Sequence, residues 1–252
     1  MQRSIRHKLI IQALRTSGRL RVEQLVELTG VSGVTIRRDL AELEAHQALR
    51  RIPGGAARTV KDGENVPFVL RMAEDRDAKT RLAAAAAELI TDYESVIIDN
   101  GTTCHAVAQE LAGRPITALC LSIHAAVALG SAPGARVIIP GGPVEPDTLS
   151  MMGSQALDAI RNMRADALVL GTCSASVTRG LTSTLYEDAL IKQAGIQSST
   201  RRILVTVADK LNRSSNFRFG APADLTHLVI TADAPPDVLT LFHDEGVEVI
   251  LV

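Results

Sequence analysis

The sequence predicts an α/β protein in two unequal parts. An N-terminal winged helix-turn-helix spans residues 3–58, a linker follows at 59–73, and a larger domain with a mostly parallel sheet spans 74–252. Three observations lead there. Val31 to Leu40 reads as a capped amphipathic helix entered from a glycine turn. From Val96 onward, short apolar runs alternate with helical patterns, as in chains of β-α units. Charge is also split: residues 1–60 hold eleven Lys and Arg against five Asp and Glu, net +6, which leaves −7 on the rest. A basic head on an acidic body fits a DNA-contacting module carried by a separate effector or assembly domain.

Composition narrows the classes. Across 252 residues, 46% are hydrophobic and 22% charged, the balance of a globular chain. Aromatics make up 2% and Trp is absent, which argues against modules that stack single-stranded bases. Cys104, Cys120 and Cys173 are odd in number and contain no C-x-x-C, so neither a disulfide framework nor a zinc site is expected. They read as small buried hydrophobes in a reducing cytoplasm. The N-terminus is periodic rather than signal-like, and no apolar run approaches the roughly 20 residues that span a bilayer. Neither a membrane partner nor a cofactor is expected.

In the head, Ile5, Leu9, Ile10, Ala13 and Leu14 mark one face of a first helix, which Gly18 ends. A second helix runs from about Val22 to Thr29, with Leu25, Val26 and Leu28 apolar, and Gly30 supplies the tight turn. A third runs from about Ser32 to His46. Ser32 caps it, and Ile36, Leu40 and Leu43 recur on its core face. Thr35, Arg37 and Arg38 point elsewhere. That face suits the major groove, although two solvated arginines on a surface helix would look the same. Ala48 to Ala56 reads as a short ribbon with a glycine tip, a wing that brings Arg50 and Arg51 to a phosphate or the minor groove. Asp39 orients Arg37 or Arg38, or pairs within the head.

Thr35-Ile36-Arg37-Arg38-Asp39-Leu40, then Leu43-Glu44, then Arg51-Ile52-Pro53-Gly54-Gly55-Ala56, closely resemble the DeoR family of bacterial repressors. The resemblance implies double-stranded operator DNA as partner, with Ser32, Thr35, Arg37, Arg38, Arg50 and Arg51 at the contact. Gln47 departs from the glycine usual before the wing. Two heads reading two half-sites imply a homo-oligomer, a dimer or a tetramer.

In the linker, Asp62 to Pro67 are turn formers, and Phe68, Leu70 and Met72 dock onto the second domain. An Ala-rich helix follows from about Ala78 to Ile90, with Lys79 near its start. Strands are expected at Val96–Asp99, Ala118–Leu121, Arg136–Ile139, Ala167–Leu170, Ile203–Val207, Leu228–Thr231 and Val247–Val252. Helices are expected at Cys104–Leu111, Ile123–Leu129, Leu157–Asn162 and Tyr186–Ser198.

Open parallel sheets bind ligands at the carboxyl ends of their strands. There, Asp99-Asn100-Gly101-Thr102-Thr103 leaves a strand and opens a helix. Gly101 permits close backbone approach, Thr102 and Thr103 offer hydroxyls and N–H groups to an anion, and Asp99 suits sugar hydroxyls. A plain strand-to-helix turn is the competing reading. The family resemblance extends through Gly141-Gly142, Met152-Gly153, Gly171, Gly180-Leu181-Thr182, Lys192 and Lys210. It implies a domain similar to ribose-5-phosphate isomerase that senses phosphorylated sugars or related metabolites through Asp99, Gly101, Thr102, Thr103, Ser122, Gly141, Gly142 and Lys210. Lys192 is either an anion partner or solvent-facing. Three departures bear on the ligand: Cys120-Leu121-Ser122 where the family has Thr-Asn-Ser, Glu145 where it has arginine, and Val207 where it has aspartate. They point to a less anionic effector. An isomerase would need a carboxylate base, for which Asp99, Glu145, Glu187 and Asp209 are available; the fold by itself does not imply that activity.

Overall fold

The computed structural model describes residues 3–45, 48–57, 68–146, 148–211 and 213–252, the side chains of residues 4, 8, 12, 15, 16 and 70 excepted. His46, Gln47, Arg58 and the linker from 59 to 67 lie outside the described residues. Two compact units divide between Arg76 and Asp77.

In the first unit, α1 (Arg3–Ser17) ends at Gly18, whose φ of 71° and N–H bond to the Leu14 carbonyl close the last turn. A short strand β1 (Arg19–Arg21) leads into α2 (Val22–Thr29). Gly30, at φ 70°, terminates α2 by donating to the Val26 carbonyl at 2.8 Å. Next come α3 (Gly33–Ala45), β2 (Arg50–Ile52) and β3 (Gly55–Ala57). The strands form an antiparallel sheet in the order β1-β3-β2. Glycine is required at position 55: a Cβ there would lie 2.2 Å from the Leu20 carbonyl oxygen. Ile10, Leu14, Val22, Leu25, Ile36, Leu40, Leu43, Leu49 and Ala56 form the core. Ile5, expected to join it, is 50% exposed, because the inward positions of that first turn belong to the buried Arg6 and His7. The second half of the expected linker folds as a helix, α4 (Phe68–Ala73), with Phe68 buried and Met72 exposed.

The second unit follows the β-α alternation. Its elements are α5 (Arg76–Glu88), β4 (Ser95–Ile98), α6 (Thr102–Glu110), β5 (Thr117–Cys120), α7 (Ile123–Leu129), β6 (Arg136–Ile138), α8 (Ser154–Arg161), β7 (Ala165–Leu170), β8 (Ser174–Ser176), β9 (Gly180–Ser183), α9 (Tyr186–Ser198), β10 (Ser199–Thr206), β11 (Phe217–Gly220), β12 (His227–Ile230), α10 (Pro236–Asp244) and β13 (Glu248–Leu251). Seven strands pair in parallel in the order β13-β12-β10-β7-β4-β5-β6. Alternate residues of each strand face opposite layers. Ile97, Leu119, Leu168, Leu204 and Leu228 pack with α8, α9 and α10, whereas Val96, Ile98, Ala118, Val169, Val205 and Val229 pack with α5, α6 and α7. A separate antiparallel sheet, β11-β9-β8, was not foreseen; its strands are short and rich in Ser, Thr and Gly.

Strand order reverses between β4 and β7. The chain steps from β4 to β5 and β6 on one side, then returns to β7 and continues through β10, β12 and β13 on the other. In such sheets that switch point is where the carboxyl-end loops diverge and leave a crevice. The loops after β4 and β7 begin at Asp99 and Gly171.

Candidate functional site

In the first unit, α3 has two faces of different character. Ile36, Asp39, Leu40 and Leu43 are buried, whereas Ser32, Val34, Arg37 and Arg38 are exposed and Thr35 is half-buried. Ser32 Oγ accepts the Thr35 N–H at 3.3 Å and lies 3.0 Å from Thr35 Oγ1, so one hydroxyl caps the helix and orients the next. Arg50 and Arg51 are exposed on β2. The Arg51 N–H donates to Glu44 Oε1 at 2.8 Å, and its guanidinium lies 3.9 Å from Glu44 Oε2, which ties the wing to the end of α3.

Asp39 turns away from Arg37 and Arg38. It accepts from Arg6 Nε at 2.5 Å, from Arg6 Nη2 at 3.0 Å and from His7 Nε2 at 3.2 Å. A carboxylate only accepts, so Nε2 carries the hydrogen. Burial pushes the Asp39 carboxyl up, but the hydrogen bonds from Arg6 and His7 outweigh it and hold the group below the usual carboxylate range. Burial pushes the His7 pKa down, against the pull of Asp39, and keeps the ring neutral near pH 7. The cluster thus fastens the back of α3 to α1 and leaves the front clear.

In the second unit, the switch point holds a second buried cluster. Asp99 directly follows β4 and Lys192 projects from α9; the two pair directly, and Lys192 Nζ also lies 3.3 Å from Asp188 Oδ1. Asn100 donates its Nδ2 to Asp188 at 2.7 Å and its backbone N–H to Asp99 at 2.8 Å, while the Gly171 N–H reaches Asp99 Oδ2 at 3.0 Å. Ser183 Oγ donates to Asp188 Oδ2 at 2.6 Å. A Cβ at Gly171 would stand 2.9 Å from the Asn100 carbonyl, so the β4 and β7 loops meet only with glycine there. Burial works against the Lys192 ammonium, yet Asp188 and Asp99 together raise its pKa, and it stays charged. Burial pushes the Asp99 carboxyl up, against the pull of Lys192.

The remaining residues singled out from sequence cluster at the same end of the sheet. Gly101, at φ 115°, precedes α6, whose first residues Thr102 and Thr103 are both buried. Ser122 is buried at the start of α7, where its Oγ accepts the Ala125 N–H at 3.2 Å. Gly141 and Gly142 follow β6 at φ 79° and 91° and are exposed. Lys210 Nζ donates to the Thr172 carbonyl at 2.8 Å. Lys192 does not face solvent, and Asp99 has both oxygens engaged within the chain. Glu145 and Glu187 are exposed, and Asp209 pairs with Arg213 at 3.1 Å. Sequence reasoning missed Asp188 and Asn100. The available signal for Asp188 was its position four residues before Lys192 on one helix. Burial raises the pKa of Cys104, and pushes that of Cys120 up to about 12, so both thiols act as apolar packing. Among the described residues no helix is long and apolar enough to cross a membrane, and no group of His, Cys, Asp and Glu is arranged to hold a metal.

Residues 6–61 match the DeoR-like helix-turn-helix domain, and residues 74–232 match the DeoR C terminal sensor domain. The chain is 34% identical to a candidate aga operon transcriptional repressor of Escherichia coli O157:H7, over 99% of this chain and 94% of that protein. It is 31% identical to the glycerol-3-phosphate regulon repressor of Haemophilus influenzae, over 100% of this chain and 98% of that protein. Among solved structures, ribose 5-phosphate isomerase A of Neisseria gonorrhoeae aligns over 55% of this chain and 54% of its own, with 15% identity and a TM-score of 0.41.

Proposed function

The chain belongs to the DeoR family of bacterial transcriptional regulators, and from that membership we propose that it represses a carbohydrate-related operon and is released by a small phosphorylated metabolite. It is a DNA-binding regulator, not an enzyme. The observation that carries the DNA reading is the two-faced α3: Ile36, Asp39 and Leu40 lock its back while Arg37 and Arg38 stand exposed. In this reading Arg37, Arg38 and Thr35 meet the major groove, Ser32 positions the helix start, and Arg50 and Arg51 meet phosphate from the wing. A homo-oligomer presents two heads to two half-sites.

The effector reading places the ligand at the carboxyl ends of β4, β5, β6 and β10. Gly101, Thr102 and Thr103 offer the start of α6 to an anionic group, with Gly141, Gly142, Ser122 and Lys210 around it. Asp99, buried and paired with Lys192, supports the loop after β4 from within. The surplus carboxylate there favours a ligand that presents hydroxyls, with its phosphate held away from Asp99 and Asp188.

Fluorescence anisotropy on the full-length protein tests both halves, using a labelled duplex from upstream of its own gene. The R37A/R38A variant should lose at least tenfold in affinity and flatten the dependence on salt. Unchanged affinity and salt slope would remove α3 from the interface. In the same assay, a panel of sugar phosphates and glycerol 3-phosphate should include one that releases wild type. The T102A/T103A variant should bind DNA normally yet release poorly; an unaltered response would take that loop out of the site.

A further inference from the structure

We propose that Val34 is a specificity-determining residue that reads the 5-methyl group of a thymine. The inference rests on the reading that the exposed face of α3 meets DNA, and it adds an apolar base-reading element beside the charged residues.

Val34 is 75% exposed, the second most exposed of the large hydrophobic side chains among the described residues. It lies in the first turn of α3, at a position where its neighbours in the sequence have other work: Ile36 is buried and Thr35 bonds to Ser32. Residues 34, 37, 38 and 41 follow the i, i+3, i+4, i+7 spacing of one helical stripe, and all four are exposed. That stripe therefore carries an apolar group at one end, two guanidinium groups in the middle and the small Ala41 beyond them.

An isopropyl group in water gains nothing from phosphate and cannot pair with an amide or carbonyl edge. In the major groove the thymine methyl is the apolar feature that it complements. Arg38 stands four residues on, about 6 Å along the helix axis. The thymine read by Val34 thus lies one or two base pairs from the base or phosphate that Arg38 meets, given about 3.4 Å per step. The same stripe places a base-specific apolar contact beside charges whose phosphate contacts carry no sequence information.

The test uses full-length protein and duplexes enriched by it from a random library. Each thymine of the enriched site is replaced in turn by deoxyuridine, which removes only the 5-methyl group. Wild type should lose about fourfold in affinity at one thymine per half-site, the worth of one buried methyl-sized contact. V34A should bind the thymine duplex about as weakly as wild type binds the deoxyuridine duplex, and should no longer distinguish the two. An unchanged melting temperature of V34A would show that the variant folds. Indifference of wild type to every replacement, or sensitivity retained by V34A, overturns the proposal. Failure to enrich any duplex would overturn the underlying DNA reading along with it, whereas tight binding without methyl sensitivity overturns the role of Val34 alone.

Discussion

The two parts of the chain each bury an ion cluster, and the two clusters differ in charge balance. In the head, one carboxylate, Asp39, serves both Arg6 and His7. In the body, two carboxylates, Asp99 and Asp188, share Lys192. Every carboxylate oxygen of both clusters has a donor, but in the head one carboxylate meets one guanidinium, and the result is a helix held by its back. The body cluster holds one more carboxyl group than cations at the point where strand order reverses. Buried charge is costly unless compensated, so the first arrangement suits a fixed part, while the second lies beside the loops to which the proposed function assigns the effector. Placement, more than the mere presence of an ion pair, separates a fastening from a candidate sensing element.

That contrast can be broken most forcefully at Lys192. Its side chain is 3% exposed, and K192M leaves Asp99 and Asp188 facing each other without a cation. The expected loss is about 4–5 kcal/mol, at the upper end for breaking a buried pair, read by urea denaturation of the full-length protein. A loss below about 1 kcal/mol, the scale of an exposed pair, would mean that water already compensates the cluster.

A smaller effect is expected from D39N, because the Arg6 side chain is 9% exposed and retains some access to solvent. The lower end of the same range, about 3 kcal/mol, applies. Operator affinity should fall with it although Asp39 itself is buried. Normal affinity in D39N would separate the fastening of α3 from its function.

The smallest effect concerns pH. Burial holds the His7 pKa below its ordinary value. A group with a depressed folded pKa contributes stability above its unfolded pKa, about 6.5 for histidine, and that contribution is lost as pH falls through the folded value. Asp39 is depressed as well, so its contribution persists until the carboxylate range is reached. Melting temperature should therefore decline between pH 7.5 and 5.5, and H7Q should flatten that decline. An identical slope in H7Q would assign the titration to another group.

Much of the fold was legible. Val22–Thr29 and Tyr186–Ser198 were read at their observed bounds, because Gly30 and the change of period on entering β10 are local signals. The parallel strands of the body were found as short apolar runs, within a few residues at their ends. Strands β1, β8, β9 and β11 were not, since segments of three or four residues are too short to show a period and acquire their conformation from a partner strand. Helix α10, absent from the sequence reading, has a local start signal in the Pro235-Pro236 pair. Within the sites, Ser32 was recognised as a cap, and Ser122, read as a ligand contact, proved to cap α7 as well.

The sequence by itself determined the two-part organisation, the capped helix with its exposed arginines, and the β-α order of the body. Those follow from periodicity, glycine turns and local charge, which act over a few residues. Only the tertiary structure decided which polar groups face each other: Arg6 reaches Asp39 across 33 positions, and Lys192 reaches Asp99 across 93. Pairs so distant leave no periodic trace, because what brings them together is the packing of whole helices and strands around a core.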